Sequence, residues 1–314
     1  AVICLSLYSF IFHHVKPLQS SLKPLVEGYQ SGMRTGDKIF AMFCLLGGTI
    51  SLPYMMGKPL NMIEEQCQAS VSQMVELNAK EQAAALKMFW QLCLNLMGLS
   101  NNTVELSGKA MDEKELVFTG AVNMYFVLVK NIAFNLFGQY ESVASLVIKK
   151  EAQQHLVVKG GSYTALMYTF HRSLSLYAMA QKNRNKKKKY MTKANRLHKE
   201  LAASLKKGNP NALHYVSFLN AERNALKQKK NREETVEQEY KNAITVSLRG
   251  GYVHDAALAR ERYAQFLLNE VGDIEEAKYQ IEAAIDCYKG WGAMGKVQHL
   301  RNQQERILAE SQTK

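Results

Sequence analysis

Gly290-Trp-Gly-Ala-Met-Gly-Lys-Val297 comes closest of any stretch in this 314-residue chain to a recognisable piece of chemistry. It falls one residue short of a phosphate-binding loop. In such a loop, glycine-rich backbone cradles phosphates, a lysine reaches them, and a following Ser or Thr holds magnesium. Val297 offers no hydroxyl. The segment also follows a helical pattern, with Ile281, Ala284 and Ile285, where a phosphate loop follows a buried strand. The expectation is therefore structural: Gly290 and Gly292 end one helix, and Trp291 fills the groove beneath the last.

A second candidate is electrostatic. The net charge of +12 is concentrated between Lys182 and Arg232, where 16 Lys or Arg stand against two acids, Glu200 and Glu222. Lys182, Arg184, Lys186, Lys187, Lys188, Lys189 and Lys193 could contact an acidic partner, and Tyr190 could stack on a base. Tyr190, Ala194, Leu197, Leu201 and Leu205 follow at helical spacing. The run therefore reads as the wet face of a helix first, an acidic protein or membrane-surface contact second, and a nucleic-acid contact third.

Other reactive types are dispersed. His13 and His14 are adjacent, and His155, His171, His198, His214, His254 and His299 fall in separate predicted helices, so no metal-ligand set is expected. Glu64-Glu65, Glu233-Glu234 and Glu275-Glu276 are placed to begin helices, where the dipole favours acids. Cys4, Cys44, Cys67, Cys93 and Cys287 show no close pair, and a reducing, cytoplasmic setting fits them. No Ser-His-Asp or Cys-His signature is found, so no catalytic residue, cofactor or small-molecule substrate is expected.

The elements that must position these residues are helices throughout. The sequence divides at turn signals into predicted helices over 1–15, 60–79, 82–98, 113–137, 140–157, 211–229, 233–249, 254–271, 274–289 and a capping helix over 293–310. Gly36-Asp37 opens a further helix that Gly57-Lys58-Pro59 closes. Within it, residues 39–57 carry no charge and are just long enough to span a bilayer. Gly47, Gly48, Thr49, Ser51 and Pro53 favour a buried helix over a membrane anchor. Ser100 to Ala110 is the longest irregular stretch.

One pattern recurs. Gly272-Asp273 breaks the chain, and Ala277, Ile281 and Ala284 then share a face. Asn231-Arg232-Glu233 leads likewise to Val236, Tyr240 and Ala243, and Gly138-Gln139-Tyr140 to Val143 and Val147. A turn followed by a narrow apolar stripe is the mark of a tetratricopeptide-like repeat. The expected fold is thus an all-α, right-handed superhelix of antiparallel helix pairs. It divides into degenerate repeats over 1–110, central repeats with the basic segment over 111–207, and C-terminal repeats with a cap over 208–314.

Three stretches carry a family likeness. Tyr29-Gln-Ser-Gly-Met-Arg-Thr-Gly-Asp37 with Gly57-Lys-Pro-Leu60, Leu136-Phe-Gly-Gln-Tyr-Glu141, and Tyr288-Lys-Gly-Trp-Gly-Ala-Met-Gly-Lys-Val297 together resemble the helical-repeat region of large multidomain signalling ATPases. Met294 and Gly295 depart from that family's plainer run. The resemblance implies a piece of a longer polypeptide, with a STAND-type ATPase module before it and sensor, kinase or cyclase domains after it. It further implies a non-catalytic scaffold or relay that binds neighbouring domains or protein partners. The alternatives are a freestanding basic solenoid on nucleic acid, and a helical protein anchored in a membrane through 39–57.

Overall fold

The computed structural model describes residues 1–149, 161–227 and 233–312, and every regular element among them is helical. In order these are α1 (Val2–His14), α2 (Leu22–Thr35), α3 (Lys38–Met55), α4 (Leu60–Glu76), α5 (Lys80–Met97), α6 (Gly120–Leu136) and α7 (Tyr140–Lys149). They continue as α8 (Thr164–Lys182), α9 (Lys187–Lys206), α10 (Leu213–Ala225), α11 (Glu233–Arg249), α12 (Val253–Phe266), α13 (Ile274–Trp291) and α14 (Met294–Gln312).

Local chemistry sets the breaks. Gly36, Gly138, Gly272 and Gly292 take the left-handed conformation that ends a helix at little cost without a Cβ. Asp273 then accepts the Glu276 N–H at 3.0 Å and starts α13. Thr119 caps α6 in the same way. This cap corrects the predicted start at 113, because Glu113 is committed elsewhere. Its carboxylate accepts from the Leu106 N–H at 2.8 Å and from Lys130 Nζ at 2.9 Å, pinning the long loop onto α6. The part of the predicted helix 140–157 beyond 149, His155, and the turn residues Asn231 and Arg232 lie outside the described residues.

Successive helices pack as pairs, most extensively α4 with α5, α8 with α9, α10 with α11, and α12 with α13. Their two members differ in burial. α4, α9, α11 and α13 each bury one stripe, such as Val236, Tyr240 and Ala243 on α11. By contrast α3, α5, α8, α10 and α12 are enclosed on nearly all sides. From Leu166 to Ala180 of α8 every residue is buried, although the stretch includes His171, Arg172, Ser173 and Ser175. A helix buried all round belongs to a core with neighbours on every face. One hydrophobic cluster accordingly runs from Leu18 to Leu300.

Contacts between the first and last thirds complete that core. In an open solenoid each unit meets only its neighbours. Here Trp291 Nε1–H donates to the Lys58 carbonyl at 3.0 Å. Asn211 accepts the Leu18 N–H at 3.0 Å and donates to the His13 and Lys16 carbonyls at 2.7 and 2.8 Å. Gly295 lies so close to Gly98 that a Cβ would sit 2.7 Å from its nitrogen. The last helix thus packs against α5 as well as α13.

α3 is the one described helix long and apolar enough to cross a membrane, and two-thirds of it (67%) is buried against protein. Its middle turn, Gly47–Ser51, is π-helical. Ser51 there shares a 2.7 Å hydrogen bond with Tyr163, just before α8.

Candidate functional site: a basic helix start and a buried histidine cluster

The predicted basic contacts gather where α8 turns into α9. Lys182 ends α8, Arg184 and Lys186 lie in a short 3-10 turn capped by Asn183, and Lys187, Lys188 and Lys189 form the first turn of α9. Lys182, Arg184, Lys186, Lys188 and Lys189 are exposed. Lys187 is half-buried and donates to the Leu226 carbonyl at 3.0 Å, so it ties α9 to the end of α10. Lys193 is also half-buried and engaged. Tyr190 is buried and unavailable for stacking on a base. Tyr190, Ala194, Leu197 and Leu201 seat the helix and thereby turn the lysines outward.

This helix start runs against electrostatic preference. Helix N-termini carry partial positive charge and favour acids. α11 and α13 follow the rule with Glu233, Glu234, Glu275 and Glu276, whereas the first turn of α9 holds lysines and no acid. Glu64 and Glu65 depart from their expected place as well. They lie in the second turn of α4, and Glu64 accepts from Trp90 Nε1–H at 3.0 Å.

The near-phosphate loop is occupied by structural work. Lys296 is buried and pairs with Glu261 at 2.7 Å, while the Tyr288 hydroxyl donates to the same carboxylate. Trp291 is fully buried, and its ring neighbours lie on α3 and α12. It packs edge-on to Tyr54 of α3 at 5.5 Å and stacks on His254 of α12 at 4.9 Å. The remaining structural positions also carry the fold. Gly138 makes the turn into α7, and Tyr140 lies under the Arg262 guanidinium at 5.4 Å. Ala277 and Ala284 are buried on α13.

Sequence reasoning missed what the inner helices bring together. His171, His214 and His254, from α8, α10 and α12, converge on Asp255, and all four are at most 4% exposed. Nε2 of His214 and Nε2 of His254 approach the same carboxylate oxygen, at 3.3 and 3.6 Å. Tyr252 stacks on His214 at 3.8 Å. Burial drives the His171 pKa down to about 4 and lowers that of His254. The same burial raises the Asp255 pKa, yet the histidines, His254 foremost, outweigh it and hold the carboxyl below its usual value. Asp255 thus works as a shared anion between imidazoles. No group of three or more metal-binding side chains is arranged around a common point among the described residues.

A second buried pair lies nearby. Arg262 grips Glu222 through two 2.8 Å hydrogen bonds, and the Tyr240 hydroxyl donates to the same carboxylate at 2.9 Å. Glu222, counted among the acids of the basic segment, is therefore spent inside the core. A signal for these residues exists in α12, where His254 and Glu261, and likewise Asp255 and Arg262, recur seven positions apart. Polar side chains at a helical period on an apolar face mark a buried network.

Among the described residues, surface grooves include one of about 640 Å³ between α2, α3 and α4 and one of about 530 Å³ beside Lys80 and Lys87. Neither includes the histidine cluster or the basic turn. No family model, curated protein or solved structure matches the chain.

Proposed function

We propose that the chain is a non-catalytic, tetratricopeptide-like scaffold that binds an acidic protein surface through the first turn of α9. The observation that carries this reading is the exposed, uncompensated lysine cluster at a helix start, where a carboxylate-rich partner would satisfy both the side chains and the helix dipole. The enclosed inner helices support an outer rather than a concave contact. The repeated break-and-stripe units support a right-handed superhelix drawn in upon itself. The likeness of the three sequence stretches supports a cytoplasmic relay segment within a signalling ATPase, its neighbours being domains of the same polypeptide.

Binding of fluorescent polyglutamate to the chain and to a Lys186→Glu/Lys188→Glu/Lys189→Glu variant tests the contact. A loss of at least about tenfold, worth roughly 1.4 kcal/mol, is expected. Equal affinity of the two proteins for the probe would sink the reading. Single-stranded DNA run in parallel tests the nucleic-acid alternative, in which affinity falls steeply with salt. The full-length transcript tests the parent protein, with an ATPase module upstream as the expected result.

A further inference from the structure

Gly28 and Gly32 of α2 lie one turn apart beneath the crossing of α1 and α3. A Cβ on Gly32 would fall 2.7 Å from the methyl of Ala1 and 2.8 Å from that of Ala41. One on Gly28 would fall 2.7 Å from Cβ of Cys4, 3.0 Å from Sγ of Cys44 and 3.4 Å from Sγ of Cys4. The pairs 1/41 and 4/44 are therefore successive rungs of one close helix contact. Both sulfurs occupy the space that the missing side chain of Gly28 leaves. The Cys44 thiol also donates to the Ala1 carbonyl at 3.6 Å, which turns its sulfur toward α1.

We propose that Cys4 and Cys44 form a reversible disulfide that staples α1 to α3 when the protein meets a peroxide. Both sulfurs lie within 3.4 Å of the one point above Gly28, and closing them into a disulfide, with Cβ atoms within about 3.5–4.5 Å, requires α1 and α3 to draw together there. Access separates the roles of the two thiols. Cys4 is half-buried and meets the oxidant, whereas Cys44 is fully buried. Burial first, and then the neighbouring Cys4, push the Cys44 thiol up to about 11, so it stays protonated until a partner is presented.

In the first step the Cys4 thiolate attacks one peroxide oxygen. A sulfur–oxygen bond forms, the oxygen–oxygen bond breaks, and the departing hydroxide takes a proton to become water. In the second, the Cys44 sulfur attacks the Cys4 sulfur. The sulfur–sulfur bond forms, and the hydroxyl leaves as water with the Cys44 proton. Two thiols are oxidised and one peroxide is reduced to two waters. Cys67 and Cys93 also approach each other, but both are fully buried and lack the half-exposed member.

The test is peptide mapping without reduction, after the whole chain is treated with hydrogen peroxide and its remaining thiols are alkylated under denaturing conditions. The expected product is a Cys4–Cys44 linked peptide, two hydrogens lighter than its parts and lost on adding dithiothreitol, with Cys67 and Cys93 alkylated. A Cys287→Ser variant keeps the link and a Cys4→Ser variant loses it. Recovery of Cys4 as free thiol, as sulfinic acid, or bonded to any other cysteine overturns the proposal, and none of these readings depends on how a variant folds.

Discussion

Trp291 joins three parts of the chain through one side chain: its ring meets Tyr54 and His254, and its N–H meets the Lys58 carbonyl. Truncation to Ala removes the packing and strands a carbonyl. Urea denaturation should show a loss of about 3–5 kcal/mol, and a loss under about 1 kcal/mol would contradict the packing described. The buried histidines give the molecule a defined acid response. Burial holds His13, His171 and His198 at about 4 in the folded protein, each with its partner charge a smaller contribution. The unfolded chain takes up these protons near 6.5 while the folded one does not, so acid favours unfolding. Stability should stay level above pH 6.5, fall progressively from there toward pH 4, and lose nothing further to these groups below it. Denaturation midpoints measured across that window check the sign. A flat profile would mean that the rings are already charged or already wet.

At the scale of one helix, α9 sets stability against recognition. Replacing Lys188 and Lys189 by Glu puts acids where the helix dipole favours them, and should raise stability by roughly 0.3–1 kcal/mol apiece at low salt. The same change should weaken polyglutamate binding. A thermal melt in low salt checks the first part, and a fall in midpoint would mean that the lysines are held by contacts within the fold. Helix limits were the legible part of this protein. Gly272-Asp273, Gly138 and Gly36 announce their turns through residues a few positions away, and most predicted boundaries fall within a few residues of those observed. Which layer each helix occupies was not legible. The spacing of Leu166, Phe170, Leu174 and Tyr177 describes one stripe of α8, yet the whole helix is enclosed because α6, α7, α9 and α10 cover its other faces. The histidine cluster was hidden for the same reason. Its members come from three helices, and no spacing along one strand of text brings them together.

For the whole molecule, contacts between first and last thirds decide how it comes apart. An open array unfolds piecewise, since each interface is local. This chain should unfold in one step, with tryptophan fluorescence and helical circular dichroism following a single curve. Trp90 and Trp291, on α5 and α13, report from the first and last thirds of the sequence. Separate transitions for the two probes would show that the junction at Lys58 and Trp291 does not couple the ends. Asn211 carries a further consequence, one of timing. Its side chain holds Leu18, His13 and Lys16, each more than 190 residues earlier. During synthesis, the turn between α1 and α2 cannot make these hydrogen bonds until Asn211, just before α10, has emerged. The turn at residues 13–18 is thus among the last parts of the described fold to settle, and a chaperone has a long opportunity there.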